Sequence, residues 1–129
     1  MPWEGDEPPF GFSPSGATSE PWLPQPKEWR ELTVESETGE PDSMLELYRR
    51  TLRIRRAEPA LGAAPGMTWL SAPDGVLAFD RGGVVCVANL SASPVELPHH
   101  TAVLLTSAPL LGGLLPPDTA AWLRTPPAP

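Results

Sequence analysis

Proline sets the first limit on what this chain can fold into. Nineteen of the 129 residues are proline, about three times the ordinary share of about 5%, and they gather at the two ends and in loops. Proline fixes φ and removes a backbone donor, so Pro8, Pro9, Pro14, Pro21, Pro24 and Pro26 forbid a helix through most of residues 1–40. That stretch also shows no apolar repeat at 3.6 or at 2. Regular structure is expected only in the middle of the chain. Yet Trp3, Phe10, Phe12, Trp22 and Trp29 all fall within the proline-rich stretch. Disordered linkers are poor in aromatic rings, and a structureless loop of this length is uncommon in a compact domain and usually functional. The combination predicts a loop that lies against a surface, and little of this chain remains to supply one.

The remaining composition fits one ordinary domain: 40% of residues are hydrophobic, enough for a core. A net charge of −7 argues against nucleic acid or an anionic membrane as partner, because both require a surplus of Lys and Arg. Five of the basic residues, Arg49, Arg50, Arg53, Arg55 and Arg56, crowd into one run, which reads as a solvated helix face beside an acidic surface. A single cysteine, Cys86, rules out an internal disulfide framework and fits a reducing compartment. The first residues lack a basic region followed by an apolar run, and no segment approaches the length of a membrane span. A cytoplasmic location is the expectation.

Order is expected to begin at PDSMLELYRRTLRIRRAEP, residues 41–59. Ser43 can cap a first turn while Glu46 reaches back to its amide, Asp42 and Glu46 suit the positive end of the helix dipole, and the arginines suit the other. Met44, Leu45, Tyr48 and Leu52 form an apolar stripe widened by Leu47 and Ile54. Pro59 ends the helix, placed from Ser43 to about Glu58. From Met67 the apolar period becomes two. Strands are predicted at Thr68–Ser71, Val76–Arg81, Val84–Ala88, Ser93–Leu97, Thr101–Thr106 and Thr119–Arg124, with a tight Gly82-Gly83 hairpin. The run from Val84 to Ala88 is apolar on both faces and should be a central strand covered on both sides. The fold class is therefore mixed α+β: an irregular N-terminal loop and one helix, followed by a small antiparallel β-sandwich.

None of the usual catalytic constellations is present. His99 and His100 are adjacent, so a strand would point them to opposite faces. Cys86, in an apolar strand, should have a raised pKa and behave as an inert hydrophobe. Asn89-Leu90-Ser91 matches a glycosylation sequon that a cytoplasmic chain would never use. Glu4, Asp6 and Glu7 share one flexible segment, whereas paired catalytic carboxylates need rigid, separate supports. No catalytic residue, metal ligand or cofactor site is assigned, and one of the acids beside Trp3 could still touch a substrate hydroxyl.

The order of phrases resembles the C-terminal part of a bacterial α-glucosidase of the oligo-1,6-glucosidase type, in the alpha-amylase superfamily, glycoside hydrolase family 13. The residues that carry this are Met1-Pro2-Trp3-Glu4 with Gly11-Phe12, then Trp22-Leu23-Pro24, then Asp42-Ser43-Met44-Leu45 through Tyr48-Arg49-Arg50 and Leu52-Arg53-Ile54-Arg55-Arg56. Val84 to Asn89 continues it more weakly. The resemblance implies that residues 1–40 are a barrel loop, 41–58 the last helix of a β/α barrel, 66–125 a C-terminal antiparallel β-domain and 126–129 a tail. It implies that the rings there cover the barrel rim or stack on sugar, rim packing being favoured for Trp3 and Phe12, with Trp3, Glu4 and Phe12 the candidate substrate contacts, and a catalytic barrel as partner. The family's catalytic acids come from barrel strands that precede such a segment, and the arginine expected just ahead of the Pro-x-Trp phrase is missing from this sequence too. A barrel needs about 250 residues, so this chain is expected to hydrolyse nothing alone. The competing expectation is an autonomous β-sandwich, either binding α-glucan or purely structural.

Overall fold

The computed structural model describes residues 1–14, 16–63 and 66–126. The chain divides into two compact units, Met1–Arg50 and Thr51–Pro129.

In the first unit the proline-rich stretch contains more local structure than its sequence suggests. A 3-10 turn spans Lys27–Leu32, and a single turn of helix, α1, spans Val34–Glu37. Thr33 caps α1, its Oγ1 accepting the Ser36 amide at 3.1 Å. A helix start leaves amide donors without intrahelical partners. Here the beginning of the chain supplies acceptors: Val34 N–H donates to the Pro2 carbonyl and Glu35 N–H to that of Trp3, both at 3.0 Å. These bonds tie the first residues down, and Pro2 and Phe10, the latter 1% exposed, are buried in the loop.

Helix α2 runs from Met44 to Ala57. As predicted, Ser43 Oγ accepts the Glu46 amide, at 3.2 Å. The return half of the capping box is built differently. Ser43 N–H donates to the Glu40 carbonyl, Glu46 Oε1 accepts from Gly39 N–H and from Arg49, and the buried carboxylate of Glu37 accepts the Leu45 amide at 2.8 Å. An acid at a helix N-terminus also suits the dipole. No residue of α2 is buried, and Met44, Tyr48 and Leu52 of the predicted stripe are exposed.

The second unit holds one five-stranded antiparallel sheet: β1 (Thr68–Trp69), β2 (Val76–Asp80), β3 (Val84–Asn89), β4 (Ala102–Thr106) and β5 (Thr119–Arg124), in the order β1-β2-β3-β5-β4. The doubly apolar strand β3 is the central one. Between β2 and β3 the turn is the two-residue type in which both central residues take positive φ, met by Gly82 (73°) and Gly83 (101°). On one face Ala78, Val87 and Ala121 stand in register, as do Val85 and Leu123. These five and Leu115 form the core, with Ala72, Val76, Val95, Leu97 and Leu110 packed around it. The layer over this face is irregular. The predicted strand Ser93–Leu97 makes only an isolated bridge, Val95 to Leu115, because Pro94 and Pro98 remove donors that a ladder would need. The result is a small mixed α+β chain whose C-terminal domain is sandwich-like, one layer being sheet and the other loop.

Asn89 locks the two layers together. It is fully buried; Nδ2 donates to the carbonyls of Ser93 (2.9 Å) and Leu115 (3.0 Å), and Oδ1 accepts from the amide and hydroxyl of Ser91. All four bonding positions of the amide are used. Asn89→Ala removes all four bonds at once, leaving the Leu115 carbonyl only the Val95 amide and taking the acceptor from the Ser91 amide, so urea unfolding of the β-domain should show a loss of about 3 kcal/mol.

Candidate functional site

The sugar-contact candidates lie on one backbone turn. Trp3 N–H donates to the Phe10 carbonyl at 2.8 Å, and Glu4 N–H donates to the same oxygen at 3.4 Å. Phe12 N–H closes a further turn on the Pro9 carbonyl at 2.9 Å. Gly11 permits the close approach. Its φ is +75°, and a Cβ there would stand 2.9 Å from Trp3 Cβ and 3.0 Å from Glu4 Cγ. The structure thus brings Trp3 and Glu4 against Gly11, with Phe12 next along the chain. Phe10 anchors the turn from inside, while Trp3 and Phe12 remain 55% and 47% exposed.

Glu4 also lines a cleft of about 440 Å³, together with Glu7, Phe10, Ser13 and Glu20. Lys27 Nζ lies 3.1 Å from Glu7 Oε1, so part of the acidic charge is balanced at an exposed site where such a pair is worth little. Rings beside exposed carboxylates can stack on a sugar face and accept hydroxyl protons. They supply no nucleophile and acid pair. No cluster of metal-ligating side chains occurs among the described residues, nor is any helix among them long and apolar enough to cross a membrane.

The other reactive side chains have structural settings. His100 Nδ1 is 2.8 Å from the Pro98 carbonyl, in the loop before β4. Burial pushes the Cys86 thiol up from 9.0 to about 11, against a weaker opposing effect of Arg81, in line with the inert hydrophobe expected. Phe10 and Glu37 have clear roles that no motif announces. Phe10 sits among prolines like the exposed rings around it, and Glu37 acts on an amide eight residues further along.

Residues 69–122 match a family described as a domain of unknown function, DUF3459, a C-terminal domain of alpha-amylase family enzymes. Among solved structures, trehalulose synthase from Pseudomonas mesoacidophila MX-45 is similar at 26% identity, covering 95% of this chain and 24% of that one, with a TM-score of 0.72. Isomaltulose synthase from Klebsiella sp. LX3 is 21% identical over 83% of this chain and 22% of that one, with a TM-score of 0.68. The isomaltulose synthase of Erwinia rhapontici NX5 is 20% identical, with 96% and 24% covered and a TM-score of 0.72. The last two likenesses concern the fold alone. No curated protein matches the chain. The chain spans less than a quarter of the length of these solved structures. Taken with the fold, these matches support a C-terminal part of a glycoside hydrolase family 13 protein.

Two measurements test this geometry. Gly11→Ala should speed amide exchange at Trp3 roughly tenfold, because a strained positive φ and a Cβ clash together cost on the order of 1–2 kcal/mol. Cys86 should alkylate slowly at pH 8, with a rate that climbs about tenfold per pH unit until the pKa is reached. The unfolded chain loses this proton first, so the group's contribution to stability is intact below pH 9.0 and is lost as pH rises through about 11.

Proposed function

We propose that this chain is the non-catalytic C-terminal segment of an α-glucosidase-type enzyme acting on α-linked glucosides in the cytoplasm. In this reading residues 1–40 form a loop at the mouth of a β/α barrel, 41–58 its last helix, 66–125 the C-terminal β-domain and 126–129 a tail, of which 127–129 lie outside the described residues. The barrel, with the catalytic acids, is the partner. Loops that follow barrel strands line the active-site face, which would put Trp3, Glu4 and Phe12 where an α-glucoside enters.

The observation that carries this reading is α2. Its fourteen residues include an apolar stripe, and not one of them is buried. An amphipathic helix gains most of its stability from packing that stripe, and the last helix of a barrel would pack it on barrel strands. The exposed rings of Trp3, Phe12 and Trp22 add a second surface of the same kind.

The chemistry implied for the complete enzyme is retaining hydrolysis through a covalent glucosyl intermediate, none of it performed by these residues. The purified chain should release no glucose from maltose, isomaltose or a nitrophenyl α-glucoside, and tryptophan fluorescence should not saturate with maltooligosaccharides. Turnover would sink the proposal; saturable binding without turnover would favour an autonomous glucan-binding module.

A further inference from the structure

We infer that a groove in the β-domain, between residues 70–73 and residues 95–98, binds an extended peptide of a partner protein in which one lysine or arginine stands between two aliphatic residues. This goes beyond the reading of the chain as an α-glucosidase-type segment and does not depend on it.

The groove holds about 470 Å³, a volume in the range of ligand pockets. Ala78 and Val87, 3% and 2% exposed, form its floor, and Leu70, Val76, Val95 and Leu97 stand around them. No aromatic and no basic side chain lines it. Along one bank, Val95 gives both of its main-chain groups to Leu115: its N–H donates to the Leu115 carbonyl at 3.0 Å, and its carbonyl accepts the Leu115 amide at 2.8 Å. Leu115 does not line the groove. Successive residues of an extended chain aim their main-chain groups to opposite sides, so the N–H and C=O of Glu96 turn away from Leu115 and toward the groove. Neither has a partner among the described residues. Val95 and Leu97 pack against the core. Alternation therefore sends the exposed Glu96 side chain outward to the rim.

The occupant follows from the aliphatic floor, the open main-chain pair and the charge at the rim. A sugar stacks on a ring and needs several polar partners, and the groove offers no ring. An anion would meet Glu96 with no basic side chain to offset it. A bare hydrocarbon would fill the floor but strip water from the Glu96 N–H and C=O without replacing it, which is costly for polar groups. An extended peptide meets all three conditions. Its central residue exchanges both main-chain bonds with Glu96, as a strand added at an edge does. Residues directly opposite one another project to the same face, so the central side chain lies beside the Glu96 carboxylate and is basic by charge complementarity. Its two neighbours then point to Ala78 and Val87 and are aliphatic. Pro94 and Pro98 have no main-chain N–H to donate, which limits the pairing to this one residue and makes the contact weak and reversible. A second copy is a poor source, since the one aliphatic–basic–aliphatic triplet of this sequence, Leu52-Arg53-Ile54, lies within helix α2.

The test is titration of the isotopically labelled full chain with the probe acetyl-Ser-Leu-Lys-Leu-Ser-amide, followed by amide NMR. Saturable shifts are expected at Glu96, Ala78 and Val87 with a Kd of about 0.1–1 mM, the range that two hydrogen bonds and two small apolar side chains support. Methylating the amide nitrogen of the probe's lysine removes one of those bonds and should weaken binding roughly tenfold. Glu96→Lys, at an exposed rim position that leaves the spectrum dispersed, should weaken the lysine probe about threefold and turn the preference toward acetyl-Ser-Leu-Glu-Leu-Ser-amide. Octylamine supplies an aliphatic chain and a cation without the amide. If it gives the same shifts at equal concentration and the methylated probe binds unchanged, the groove is a hydrocarbon pocket and the peptide assignment is wrong. Shifts at the same amides when the chain is concentrated without probe would assign the groove to a second copy instead. Shifts confined to residues outside 70–98, or none at a probe concentration well above the expected Kd, also overturn the proposal.

Discussion

Strand β3 needs apolar cover on two sides, and most of the architecture of the β-domain follows from how far that need is met. Val85 and Val87 point to one face, where Ala78, Ala121, Leu123 and Leu115 close over them and the loops around Val95 and Leu110 complete a layer. Val84, Cys86 and Ala88 point to the other. Val84 is buried there, but Cys86 and Ala88 stay half-buried. A sheet with one covered face is a common antiparallel solution when the other face is polar. Here the second face carries an apolar row, Trp69, Phe79, Cys86, Trp122 and Leu105, bordered by Arg124 opposite Val84.

The same imbalance recurs along the chain at the level of the helix and the loop. Helix α2 is well begun, with Ser43 and Glu37 satisfying its first amides, and it carries five arginines toward its end. Its stripe is only partly covered among the described residues: Met44, Tyr48 and Leu52 are exposed, and Leu45, Leu47 and Ile54 are half-buried. The N-terminal loop is held by main-chain bonds to α1 and by Phe10, yet most of its rings remain outside. Local structure is complete in each case while tertiary burial is not, so capping and turn chemistry define these elements more than core packing does.

Much of this was legible in the residues. The capped helix, the glycine hairpin and the central position of β3 each rest on local rules: a Ser-x-x-Glu phrase, two glycines that accept positive φ, and a run of valines. The strand expected at Ser93–Leu97 is reduced to one bridge, because Pro94 and Pro98 lack the donors that a ladder needs, whatever the alternation of the residues around them. The inner structure of residues 1–40 was illegible for a different reason. Its order comes from bonds between distant backbone groups, Pro2 to Val34 and Trp3 to Glu35, and backbone groups leave no trace in residue type. Glu37 was hidden likewise, since its partner is an amide. The sugar-contact trio could be named only by resemblance; the close approach of Trp3 and Glu4 to Gly11 is geometry that no spacing rule contains.

The burial of Asn89 bears on how such a chain can be made. In a host that transfers oligosaccharide to Asn-x-Ser while the polypeptide is still extended, this side chain would be modified before it reached its four partners. A glycan there has no room in the closed domain, so modification and folding exclude one another. Production by secretion from a eukaryotic cell would therefore yield a permanently open product, and a host without that machinery is a structural requirement rather than a convenience.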